Sequence, residues 1–285
     1  MEERRVRVGD SSYLLATDGT GPPLLLLHGF PQTRHCWRKI LPRLAGSFTV
    51  VAPDLRGYGA TVAPPGGPRG EGYSKREMAA ELLGLMKQLG FERFAVVGHD
   101  RGGRVAYRMA LDHPAQVGRL VVLNVLPTVE QFERMTPETA LGYLPWFLLA
   151  QPAPVPERLL GTSAKFYVRH VLEEWCGTPG AIPPKDASVY ARAFTPAAIE
   201  RVCADYRAAF HLDRPLDAAD RAAGRKIQCP TLVLWGERED AMADSPLSVW
   251  RRWAADVRGR ALASGHFLPE EAPEAVASAL LEFLK

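Results

Sequence analysis

The stretch GHDRG, residues 98–102, sets a carboxylate, Asp100, between glycines where an apolar run (FAVVG) meets a helical one (102–113). Glycines at that spacing suit a sharp, strained turn that pushes one nucleophilic side chain outward. A carboxylate is a poor catalyst of acyl transfer, since its product would be an anhydride. It suits in-line attack on a saturated carbon carrying a leaving group, which makes an ester of Asp100. Hydrolysing that ester needs a general base and N–H donors for the oxyanion. The base has a candidate in His266, within SGHFLPEEAP (264–273), after the nucleophile in chain order. The donors have candidates in the backbone N–H groups of Phe30, in HGFPQ (28–32), and of Arg101, the residue after the nucleophile. An ordinary strand–helix turn also fits GHDRG, but not HGFPQ, the histidine loop and a helical insert in that order. His28 reads as structural. His99 faces away from the tip of the turn, and His35, His113, His170 and His211 lack a supporting motif; all read as bystanders.

Arg101 and Arg104 stand three apart at a helix start, so both can face one pocket. Two guanidinium groups beside Asp100 suit a substrate carboxylate and ease its repulsion from the anionic nucleophile. The alternative for Arg104 is a surface ion pair.

These residues need a scaffold. The 285 residues, 47% hydrophobic and 24% charged, suit one large α/β domain with an insertion. Residues 1–17 alternate like an edge hairpin; PLLLLHG (23–29), FTVVAPD (48–54), FAVVG, VGRLVVLNVLP (117–127) and PTLVLWG (230–236) read as strands. Ser74 and Glu77 form a capping box that opens a helix ending before Gly90. WRKILPRL, PLSVWRRWAA and PEAVASALLEFL read as helices. The alternation stops at Pro127, and residues 128–222 read as helices with proline-rich joints. The expected organisation is a core from 1–127 and 223–285, with 128–222 as a lid over the sheet's carboxyl edge, where open α/β sheets bind ligands.

The net charge of +3 is too small to argue for nucleic acid, no apolar run approaches a membrane span, and MEERRVRVGD, with no apolar stretch after its charges, does not read as a signal peptide. Cys36, Cys176, Cys203 and Cys229 show no C-x-x-C or metal spacing. The expectation is a cytoplasmic enzyme with reduced thiols, no metal and no cofactor, whose partners are a small molecule and water.

With HGFPQTR, DLRGYG, GHDRGGR, LNVLPT, FLLAQPAP, CADYRA and SGHFLPEEAP in these positions, the chain resembles the α/β-hydrolase superfamily over nearly its full length. Within it the chain is most similar to fluoroacetate (haloacetate) dehalogenases. HGFP and DLRGYG are shared with epoxide hydrolases; Arg101 with Arg104 is the more specific pair. The resemblance implies an eight-stranded, mostly parallel sheet with the helical cap after the sixth strand, and hydrolysis of small 2-halo carboxylic acids. It maps a halide-binding tryptophan and tyrosine onto Trp146 and Tyr206, each with a polar hydrogen for an anion. Some such relatives are dimers, so a homodimer is compatible with it.

Two positions depart from that pattern. A third halide donor, a histidine, is here Pro145, which has no donor. Fluoride is a poor, strongly solvated leaving group, so weak or absent defluorination is expected. The triad acid is here Asn124, which can orient an imidazole but not balance its charge. Other α/β-hydrolases carry the acid after the next strand, where WGERED supplies Glu239 and Asp240; a relocated acid at one of these is expected, and solvated loop charges are the alternative. The competing activities are epoxide hydrolysis by the same Asp–His pair, with Tyr143 or Tyr206 as acid, and a non-catalytic hydrolase-fold binding protein. An arginine pair is an odd lining for a neutral epoxide, and retention of Asp100, His266 and HGFP together argues against loss of catalysis.

Overall fold

A computed structural model describes residues 2–237 and 245–285. The expected sheet is present, with eight strands: β1 (Glu2–Val8), β2 (Ser11–Asp18), β3 (Pro23–Leu27), β4 (Thr49–Pro53), β5 (Phe94–His99), β6 (Val117–Leu123), β7 (Thr231–Gly236) and β8 (Val257–Leu262). Their order is β1-β2-β4-β3-β5-β6-β7-β8. β1 and β2 pair antiparallel, β2 joins β4 antiparallel, and the rest is parallel. The central strands read as unbroken apolar runs because both faces are covered: Leu24 to Leu27 and Leu120 to Leu123 are fully buried. β8 is the strand no apolar run announces. Its sequence VRGRAL alternates exposed arginines with half-buried positions at the sheet edge.

A 3-10 turn (Arg34–Lys39) and a short α1 (Leu41–Ala45) follow β3, so WRKILPRL is two turns rather than one helix. α2 (Lys75–Gln88) opens on the Ser74–Glu77 capping box, and α3 (Arg101–Asp112) follows β5. Between β6 and β7 lie α4 (Thr128–Glu133), α5 (Pro137–Gly142), α6 (Leu144–Leu148), α7 (Val155–Gly161), α8 (Ala164–Trp175), α9 (Pro184–Ala193), α10 (Pro196–Ala208), a π turn (Ala209–Asp213) and α11 (Arg214–Ala222). After β7 come α12 (Pro246–Trp250), shorter than PLSVWRRWAA suggests, then α13 (Leu268–Glu271) and α14 (Pro273–Leu284). No helix among the described residues is long and apolar enough to cross a membrane.

The segment between β6 and β7 is tied to the sheet by buried charge. Arg108 of α3 reaches Asp217 and Asp220 of α11, each at 2.5 Å. Asp217 also accepts from the Tyr107 hydroxyl (2.6 Å) and the Thr128 N–H (2.8 Å). A second tie joins Asp186 of α9 to His35 and Arg38 at 2.8 and 2.7 Å. Such pairs stabilise little against a well-packed apolar replacement, but breaking one side strands the other in the interior. Asp217→Ala would take the carboxylate from Arg108 Nη2, with Asp220 still on Nη1, and one partner each from the Tyr107 hydroxyl and the Thr128 N–H, which stay bonded to each other. It is expected to cost about 1–3 kcal/mol in urea unfolding; a loss under about 1 kcal/mol, typical of an exposed pair, would show that this tie contributes little.

Candidate active site

Asp100 stands at the end of β5 and the start of α3 with φ 47° and ψ −114°, a backbone state that costs energy for any side chain. Its neighbours over-determine it. The Asp100 N–H donates to the Leu123 carbonyl and its own carbonyl accepts from Arg104 N–H, both at 3.1 Å. The turn also demands small residues around it. A Cβ on Gly102 would sit 2.4 Å from the Leu27 and His28 carbonyl oxygens, and one on Gly29 would meet the Asp100 Cβ at 2.5 Å. The glycines of GHDRG and HGFPQ are therefore one close-packed unit.

That approach brings the Phe30 N–H to 2.8 Å from Asp100 Oδ1. His28 is part of the reason. Its Nε2 accepts from the Leu55 N–H at 3.0 Å, which leaves the ring proton on Nδ1, 3.0 Å from the Gly29 carbonyl oxygen. That oxygen also accepts from Gln32 N–H at 2.9 Å. Held on its carbonyl side, the Gly29–Phe30 peptide turns its N–H toward Asp100. Burial holds the His28 pKa below its ordinary value, as suits a structural neutral ring. The Arg101 N–H belongs to the first turn of α3, where helix N–H groups have no intrahelical partner.

His266 lies across the same cavity as Asp100. Its Nδ1 is 2.8 Å from Asn124 Nδ2, while Asn124 Oδ1 accepts from the Gly236 N–H at 3.0 Å, which fixes the amide's orientation. Asn124 takes φ 50°, a conformation asparagine tolerates well. Glu239 and Asp240 lie outside the described residues. His99 is not a bystander: its Nε2–H donates to the His266 carbonyl at 2.8 Å, and the two rings lie 4.9 Å apart. Trp175, at the end of α8, accepts the His266 N–H on its carbonyl at 3.0 Å and sets its indole edge-on to the imidazole at 4.9 Å.

The cavity measures about 570 Å³, and Arg104, Asn124, Tyr143, Trp146 and Trp235 help to line it. Arg101 does not. Its Nε donates to Asp205 Oδ2 at 2.8 Å and its Nη2 to the Asp205 carbonyl at 2.9 Å. Asp205 also pairs with the buried Lys75 and accepts from the Tyr58 hydroxyl at 2.7 Å. Arg101, foremost, together with Lys75, holds its carboxyl far below the usual range against the cost of burial. Arg104 differs. Its Nη1 donates to the Leu126 carbonyl at 2.8 Å, and among the described residues it forms no ion pair. Burial accordingly lowers its pKa. Its guanidinium lies 4.4 Å over the Trp146 ring, and Arg101 lies 5.2 Å over the same ring and 4.2 Å over Tyr206. Tyr206 packs edge-on behind Trp146 at 5.9 Å. The residue pattern singles out neither Asp205 nor Lys75 nor Trp175; the one available signal is that Asp205 precedes Tyr206 in CADYRA.

A family model described as alpha/beta hydrolase fold matches residues 22–273. A fluoroacetate dehalogenase from Burkholderia sp is 43% identical, the match covering 99% of this chain and 93% of that protein. A soluble epoxide hydrolase from Corynebacterium sp. (strain C12) is 32% identical over 94% of this chain and 91% of its own length. A solved structure from Nostoc sp PCC 7120, described as an alpha/beta hydrolase, superposes with a TM-score of 0.94 at 46% identity, over 100% of this chain and 98% of that one.

Burial, and then the neighbouring His266, lowers the His99 pKa from 6.5 to about 3. Between those values the unfolded chain binds the extra proton, so His99 contributes stability above pH 6.5 that is lost as pH falls toward 3. His99→Gln is therefore expected to lose less stability than the wild type between pH 7 and about pH 5 in urea unfolding. Equal losses would show that His99 does not carry this dependence.

Proposed function

The chain belongs to the α/β-hydrolase superfamily, and within it to the fluoroacetate (haloacetate) dehalogenase family; from that premise we propose that this hydrolase cleaves the carbon–halogen bond of small 2-halo carboxylic acids. The observation that carries the reading is Arg104, a buried cation on the wall of the nucleophile's cavity, with no ion pair among the described residues. Such a charge is costly until an anion meets it. A substrate carboxylate supplies that anion, and Arg101 adds its field from behind Trp146.

In this mechanism the Phe30 N–H keeps Asp100 Oδ1 as the carbonyl oxygen, so Oδ2 attacks the carbon that bears the halogen. The carbon–halogen bond breaks, halide leaves with the electron pair toward Trp146, behind which Tyr206 packs, and an Asp100 ester forms. His266 then takes a proton from water, whose oxygen attacks the ester Cγ. The negative charge gathers on Oδ1 between the Phe30 and Arg101 N–H groups; loss of one such donor typically costs about 2.7–4 kcal/mol of transition-state stabilisation. Collapse breaks the Cγ–Oδ2 bond, and the departing hydroxy acid takes the proton from His266. The epoxide hydrolases among the relatives set the competing reading. The same pair would open an epoxide, with Tyr143 on the cavity wall as acid.

Halide release from chloro- and bromoacetate, with styrene oxide as control, separates the two. Release with no diol is expected, and diol formation without halide would overturn the reading. Fluoroacetate is expected to turn over more slowly than chloroacetate at equal enzyme, because Pro145 brings no donor beside Trp146; equal rates would remove that role from Pro145. For the acid that supports His266 we retain Glu239 or Asp240. Alanine at the right one is expected to slow ester hydrolysis at least tenfold. If neither slows it, the relocated acid is overturned.

A further inference from the structure

We propose that Glu271 is a positioning residue for His266 and sets the rate of ester hydrolysis; the inference rests on the two-step reading above. His266 sits in a five-residue loop, AlaSerGlyHisPhe, between β8 and α13. The peptide N–H groups on either side of it both end on one carboxylate. Gly265 N–H donates to Glu271 Oε2 and Phe267 N–H to Glu271 Oε1, each at 2.8 Å. Together with the His266 N–H on Trp175 and the His266 carbonyl on His99, this leaves the backbone around the base no direction in which to swing.

The adjacent glutamate does something else. Glu270 faces away, accepting from Arg38 Nη1 and the Tyr190 hydroxyl, both at 2.5 Å, and so ties α13 to the 3-10 turn and to α9. Two consecutive carboxylates thus have separable roles, one in cap attachment and one in orienting the loop. Glu271 touches neither Asp100 nor the turn around it. A defect confined to the base must therefore appear after the ester has formed.

Glu271→Gln keeps the shape of the side chain but sets an amide donor against a peptide N–H. Its side chain is only partly buried, so the fold should tolerate the change. With bromoacetate the expected result is a normal halide burst, steady turnover slowed about 10- to 100-fold, and an Asp100 ester that accumulates and is seen by mass spectrometry. Glu271→Asp, which keeps both oxygens, should recover part of the hydrolysis rate. Glu270→Gln should lower stability without accumulating ester. The proposal is overturned if Glu271→Gln slows the burst and the steady phase equally, or leaves both unchanged. His266→Asn is the reference: if it traps no ester, the two-step reading fails and this inference with it.

Discussion

Everything in the site follows from keeping a carboxylate at the tip of a left-handed turn. An aspartate with φ 47° is not a resting state of the chain. Three contacts hold it: β6 through Leu123, α3 through Arg104 N–H, and the Phe30 N–H on Oδ1. The last also divides the two carboxylate oxygens into one that is bound and one that is exposed to attack another atom. Even the spacing of HGFPQ relative to GHDRG answers to this, since Gly29 and Gly102 lie where any side chain would collide with the turn.

The second constraint is charge. Arg101 and Arg104 are alike in sequence and unlike in place. Asp205, arriving from α10, takes two nitrogens of Arg101, and the same carboxylate neutralises Lys75. Among the described residues Arg104 has carbonyl and hydroxyl partners only. Among the described residues the interior thus holds one cation with an ion pair, outside the cavity, and one without, on its wall.

How much of this could be read from residues alone follows from locality. The parallel strands were visible as apolar runs because both sheet faces are covered, and α2 because Ser74 and Glu77 cap it within four residues. Asp100, His266 and Phe30 announce themselves through short motifs. β8 does not, since an edge strand with Arg258 and Arg260 facing solvent has no apolar run. Asp205, Lys75 and Trp175 stay silent for a different reason: their partners are far away in sequence, and a helix has the same composition whether or not one of its residues reaches the site. His99 reads as a bystander because it faces away from the tip of the turn, yet that direction is the one that reaches the His266 loop.

The carbonyl of Trp175 holds the main chain of His266 while its ring leans on the imidazole. The inserted helices are consequently not an interchangeable accessory. Grafting another relative's insert onto this sheet, as one might to alter substrate preference, would also remove the hold on the His266 ring unless the donor supplied an equivalent carbonyl at the end of its own fifth inserted helix. Point changes along the cavity wall leave that hold in place, where exchange of the whole insert does not.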